Sequence, residues 1–324
     1  MKLNFKKIIF IILPIALGVF LIWYSWSRLS PSDIFSIETS FKTANYWWVV
    51  LSLFCGVLSH VSRAYRWQFL LEPLGYKPRL ANSVMTVLMA YLLNLFVPRS
   101  GEFARAASIK KYENIPFEKA FGTIVAERVT DVIMLLIIMG IAFYLQTDLV
   151  SSYIFKDDGQ SSFYSKIIIF VVLPIIGFAT FKLLQKSSNP IIHKLIEFIN
   201  GLLDGVKSIF SMKKKWKFLF HTLFIWVMYL LMFYVVTFAL PETTNLPFAA
   251  IIVGFVVGGL SMALTNGGLG SYPIFVASAL ILYKVDDNPA RAFGWIMWTA
   301  QTIMVILFGG LSFLLIPIYN KYKK

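Results

Sequence analysis

The chain has 324 residues, 58% of them hydrophobic and 14% charged, where a soluble domain carries about a quarter charged; with a mean hydropathy of +0.72, this excludes an ordinary soluble protein. The net charge of +14 needs no nucleic acid to explain it, because Lys and Arg gather in short loops between apolar segments, as positive-inside topology requires. The single cysteine, Cys55, allows neither an intrachain disulfide nor a cysteine metal site.

In chain order, Lys2, Lys6 and Lys7 precede the apolar stretch Ile8 to Trp26. That stretch is long, ends in Trp23, Tyr24 and Trp26, and lacks a small-x-small cleavage site, so it predicts an uncleaved first span. Tyr46 to Ser62 follows as a second span, with Arg63 and Arg66 beyond it as snorkelling anchors and secondary contacts for lipid phosphate. Ala81 to Val97 falls short of the roughly 20 residues needed to cross and stops at Pro98-Arg99-Ser100-Gly101. Phe121 to Leu145 is a full span, followed by an acidic loop holding Asp148, Asp157 and Asp158. Ile167 to Leu184 is the next span, before a Lys-rich region from Lys182 to Lys217.

Within that region, Pro190 to Phe210 places Ile192, Leu195, Ile196, Ile199, Leu202, Leu203, Val206 and Phe210 at helical spacing, which predicts an interfacial helix over 190–211. Phe218 to Leu240 crosses next. Phe248 to Leu264 breaks at Thr265-Asn266-Gly267-Gly268-Leu269-Gly270 and is followed by the short apolar run Tyr272 to Tyr283. Ala292 to Ile318 is the last span.

Loop charge decides the threading. If Ala81 to Val97 crossed fully, the Lys-rich region would lie outside and the acidic loop inside, inverting the positive-inside rule. A dip and return over residues 81–112 puts both termini and the Lys-rich region in the cytoplasm. The expected fold is therefore an all-α, multi-pass protein of a plasma or inner membrane, with about six full spans and two re-entrant or broken hairpins. Residues 1–145 and 146–324 form two halves of one transmembrane domain, related as an inverted-topology repeat. Such repeats place substrate near the midplane, at their interrupted helices.

Two charged motifs fall in or beside these segments. Glu127-Arg128-Val129-Thr130-Asp131 precedes a run without charge, Val132 to Leu145, and intramembrane charge is a functional-site hypothesis by default. On a helix, Glu127 and Asp131 share a face and Arg128 pairs with Asp131. Upstream stands Pro98-Arg99-Ser100-Gly101-Glu102-Phe103-Ala104-Arg105. A structural ion pair explains one such motif; two are harder to explain as packing. His60, His193 and His221 stand apart without metal-ligand spacing, and neither a nucleophile constellation nor a cofactor fingerprint is present.

Pro98-Arg99-x-Gly101-Glu102-x-x-Arg105, then Glu127-Arg128-x-x-Asp131, then Gly267-Gly268-Leu269-Gly270 resemble, in order and over nearly the whole chain, the transmembrane flippase-like domain of the lysylphosphatidylglycerol synthase family. The resemblance implies a membrane domain that moves a modified phospholipid across the bilayer, while a separate soluble domain, absent up to Lys324, makes it. Arg99, Glu102, Arg105, Glu127, Arg128 and Asp131 occupy the matching positions. Asn266 stands where relatives often carry Pro, and Pro273 where many carry Glu, which points to a different headgroup at the second hairpin.

Independently of the resemblance, Arg99 and Arg105 suit bidentate phosphate binding, and backbone N–H groups freed at the break suit the same anion. Asn266, Gly267, Gly268, Gly270 and Tyr272 complete the expected substrate site. The expected function is transport of an anionic or modified phospholipid, or of a polyprenyl-phosphate-type lipid, without catalysis, cofactor or metal. Two alternatives stand beside it. One is an intramembrane enzyme using Glu102 or Asp131 as acid or base; the other is a scaffold or regulatory partner of an envelope enzyme. The expected partners are the lipid and either a second copy of the chain or such an enzyme, and no nucleic acid.

Overall fold

The computed structural model describes residues 5–146 and 212–321, with single positions at 182, 196 and 200 between them. The acidic loop, most of the Ile167 to Leu184 span and of the 190–211 helix, His193 and the Tyr322-Lys323-Lys324 tail lie outside the described residues. Those residues form ten α-helices and a few short 3-10 turns. They are α1 Phe5–Ser27, α2 Pro31–Thr43, α3 Tyr46–Leu71, α4 Leu80–Phe96, α5 Ser100–Glu113, α6 Phe117–Leu145, α7 Lys215–Val236, α8 Phe248–Leu264, α9 Ser271–Ile281 and α10 Asp287–Lys321.

Among the described residues, four segments are helical, long and apolar enough to cross a membrane: Tyr46–Leu74, Phe117–Leu145, Lys215–Ala239 and Asp287–Lys321. α3 differs from its expected extent. It runs past Ser62 to Leu71, because Trp67, Phe69 and Leu71 bury their side chains and carry the apolar face on beyond the arginines. Exposed Leu307, Leu311, Leu314 and Ile318 on α10 give that helix an apolar outer surface, as a lipid-facing helix requires.

The chain divides into two compact units, Met1–Glu127 with Trp216–Lys324, and Arg128–Lys215. In the first, α7 runs antiparallel to α3. Ala239 accepts from the Asn45 amide at one end (2.9 Å), and Ser62 meets His221 at the other (2.9 Å). α10 likewise opposes α1, since Arg291 near its start donates to Ser25 near the end of α1 (3.1 Å). Asn320, at the far end of α10, exchanges hydrogen bonds with Asn82 at the start of α4 (2.8 and 3.0 Å).

Both broken hairpins form. At the first, Val97 is extended (φ −133°, ψ 116°), the conformation that a following proline imposes, and Arg99 turns the chain at φ 63°. Local groups satisfy the backbone freed there, a requirement away from water. Ser100 Oγ donates to Leu93 and Val97 carbonyls (3.1 and 2.7 Å), and Asn94 Oδ1 accepts from the Gly101 amide (2.8 Å). A Cβ at Gly101 would collide with the Ala90 carbonyl, so only glycine lets α5 lie this close to α4.

At the second break, Gly267, Gly268 and Gly270 take φ values of 60°, 75° and 70°, open to glycine at no steric cost. Thr265 Oγ1 donates to the Leu269 carbonyl (2.9 Å), and the Trp298 indole N–H donates to the Gly267 carbonyl (2.8 Å).

The hairpins enter from opposite ends of the unit. The first opens where α3 ends, and Glu113 at its base meets Arg79 (2.8 Å). The second opens where α3 begins. Their tips touch: Asn266 Nδ2 donates to the Phe96 carbonyl (3.2 Å). The level is set by α10, whose Trp298 meets Gly267 and whose Gly309 packs against Leu92. The tips therefore lie near the middle of α10. The second unit, described alone, contains α6 from Arg128 onward, with Leu136, Ile137, Ile141, Phe143 and Tyr144 exposed.

Candidate functional site

Arg63 and Arg66 stand three residues apart on α3 and so share a helix face. Arg105 comes from α5 and Glu127 from α6. Glu127 is fully buried, and the three guanidiniums are buried to 0–3% exposure around it. Arg63 Nη1 donates to Glu127 Oε1 at 2.8 Å, Arg105 donates through both terminal nitrogens at 3.0 and 3.3 Å, and Arg66 Nη2 lies 3.6 Å away. One carboxylate thus contacts three cations, and removing it would leave them without that partner in a dry interior, at a cost of several kcal/mol.

Aromatic surfaces shape the rest of the cluster. The Arg105 guanidinium lies 3.9 Å from the Trp67 ring centre and that of Arg66 5.4 Å from Phe218, distances at which the ring quadrupole attracts a cation. Trp67 is held by donating to Thr123 Oγ1 (2.9 Å), and Arg66 donates to Thr222 Oγ1 (3.0 Å). On the tip side, Tyr229 OH lies 3.5 Å from Arg63 and 3.2 Å from Tyr91 OH, and the Tyr91 ring packs 4.3 Å from His60.

Trp67, Leu71, Ala106, Ile109, Ile115 and Ile124 bury together, so α3, the base of the first hairpin and the start of α6 share one end of the unit. Counting at 1.5 Å per residue, Arg66, Arg105 and Glu127 lie roughly 8–15 Å inside that end. The charges are therefore set inside the helix bundle, away from its end.

The expected substrate residues divide between places. Arg105 and Glu127 meet in the buried cluster. Arg99 is exposed at the first hairpin tip, and half-buried Glu102 accepts from Asn94 Nδ2 (3.2 Å). Asn266, Gly267, Gly268 and Gly270 form the facing tip. Tyr272 is buried, its hydroxyl accepting from Gln301 Nε2 (3.3 Å). Arg128 pairs with Asp131 at 3.6 Å in the second unit, 40% and 13% exposed.

The reading of Arg63 and Arg66 as snorkelling anchors is corrected. They are buried inside the helix bundle and supply two of the three cations around Glu127, because α3 continues beyond them. The legible signal was Trp67, Phe69 and Leu71 resuming the apolar face just after Arg63-x-x-Arg66. His60, set aside for lacking metal-ligand spacing, stands one turn from this cluster.

Residues 11–309 match the family model described as the lysylphosphatidylglycerol synthase TM region. The chain is also similar to a UPF0104 membrane protein of Methanocaldococcus jannaschii, 24% identical over 298 residues, covering 83% of this chain and 84% of that protein. No solved structure matches. With that match covering nearly the whole length, the chain belongs to the family of the lysylphosphatidylglycerol synthase transmembrane region.

Proposed function

We propose that this protein is a flippase-like carrier that moves an anionic or modified phospholipid, or a polyprenyl-phosphate-type lipid, between the leaflets of a plasma or inner membrane. The observation that carries the reading is the set of Arg63, Arg66 and Arg105 around Glu127, buried among the helices of an apolar bundle. Guanidiniums grip phosphate bidentately, and Glu127 holds the same fork-shaped donors that a phosphate takes. An incoming headgroup exchanges with Glu127 for part of this donor set and keeps it neutralised as the lipid enters.

The hairpin tips, meeting midway from opposite ends, support a path that alternates between the two sides, as interrupted helices do in inverted-repeat transporters. Arg99, Glu102 and the Asn266 to Gly270 break line that midway level, and Tyr272 braces it. Positive-inside charge puts Arg79, Lys110, Lys111 and both termini in the cytoplasm. No residue acts as acid, base or nucleophile in this transport.

The test is leaflet exchange in liposomes holding the purified full chain and a trace of fluorescent phospholipid, read by bleaching the outer leaflet. Exchange well above that of protein-free liposomes, and reduced at least tenfold by Arg105→Met in folded protein, is the expected result. Exchange no faster than in protein-free liposomes, for phospholipid and polyprenyl phosphate alike, would overturn it.

A further inference from the structure

His60 lies on α3 one turn before Arg63 and is 5% exposed. Its ring sits between two phenols, 4.3 Å from Tyr91 and 6.1 Å from Tyr229. Those hydroxyls meet each other, and Tyr229 reaches Arg63. Neither serves the imidazole: Nδ1 of His60 is buried and has no hydrogen-bond partner among the described residues. Buried polar atoms are nearly always paired, and an orphan calls for an explanation. A leucine would pack against the same phenols without that penalty, so the buried imidazole is better explained by a group that meets Nδ1, from water or from a ligand, than by packing.

We propose that His60 is a specificity-determining residue of this site, contacting a hydroxyl carried by the lipid headgroup a few bonds beyond its phosphate. The inference rests on the phosphate-binding reading of Arg63 and Arg105. Neighbours one turn apart on a helix have Cβ atoms about 5–6 Å apart, so a headgroup with its phosphate on Arg63 extends its next few atoms past His60. A hydroxyl both donates and accepts, and so pairs with Nδ1 in either imidazole tautomer. The favoured substrate class is a phosphodiester lipid with a hydroxylated headgroup. A lipid of equal charge lacking the hydroxyl leaves Nδ1 orphaned and binds less well.

Phosphatidylglycerol and phosphatidylethanol form a matched pair of probes, equal in charge and different in the hydroxyls. Titrated into the full chain in detergent, wild-type protein is expected to favour phosphatidylglycerol by about three- to tenfold, the range of one hydrogen bond. In His60→Leu this preference disappears, affinity for phosphatidylethanol is kept, and the melting temperature stays level or rises. His60→Asn, which retains a hydrogen-bonding side chain, keeps part of the preference and decides the matter if the leucine variant fails to fold. Equal binding of both lipids by wild type, or an undiminished preference in His60→Leu, overturns the role of His60 and leaves the carrier reading standing. Binding of neither lipid overturns the role of His60 together with the phospholipid form of the carrier reading.

Discussion

Glu127 is the residue on which the buried charges turn. Replacing one partner of a buried ionic group costs about 3–5 kcal/mol, because the others stay behind in a dry interior. Glu127→Gln is therefore expected to lower folded yield and melting temperature more than Arg128→Met, whose partner Asp131 lies in a pair with an arginine 40% exposed. Scanning fluorimetry of both variants checks the order; equal melting temperatures would contradict it. At Asp33, hydrogen bonds from the Ser30 hydroxyl, the Asn288 amide and the Ser30 backbone hold the carboxyl below its ordinary value of 3.8. A depressed carboxyl stabilises above its unfolded value and loses that effect as pH falls through the folded one. Asp33→Asn should thus weaken the start of α2 at neutral pH and make no difference in strong acid, as melting curves at the two pH values will read.

At the scale of elements, the hairpins were legible because Pro98 and the glycines of residues 267–270 stop helices too short to cross. The partners of Glu127 were not. Hydropathy placed the end of the second span at Ser62, the last residue before a charge, and so assigned Arg63 and Arg66 to the interface. Sequence cannot show that an arginine is buried when its counter-ion comes from another helix, 64 positions away. Arg99 and Glu102, grouped by sequence with Arg105, diverge from it because the turn at Arg99 places them at the tip, while Arg105 lies further down α5. Close approach of α5 to α4 at Gly101 yields an element-scale expectation. Gly101→Ala forces the helices apart against the Ala90 carbonyl and should cut leaflet exchange and stability together, whereas Gly122→Ala, with open space at that position, should leave both unchanged.

At the scale of the whole molecule, the opposite entry of the two hairpins and the antiparallel pairings of α1 with α10 and α3 with α7 fix which loops of the first unit share an end. Lys77 lies with the base of the first hairpin, and Glu242 lies at the other end, before the second. In a Cys55→Ser background, an impermeant thiol reagent applied to intact cells is expected to label Glu242→Cys and spare Lys77→Cys. The reverse pattern would overturn the cytoplasmic assignment of the Lys-rich end.

The most direct test of the central claim, that the buried arginines handle a phosphate rather than merely lock helices, is leaflet exchange by Glu127→Leu and by a fourfold variant that joins it to Arg63→Met, Arg66→Met and Arg105→Met, with exchange compared per folded protein. An apolar replacement of a whole buried ionic group is often neutral for stability, while loss of one member is not. The fourfold variant is expected to recover folded yield relative to Glu127→Leu while exchange stays at the level of protein-free liposomes. Wild-type exchange in the fourfold variant would contradict the claim and make the cluster a packing device.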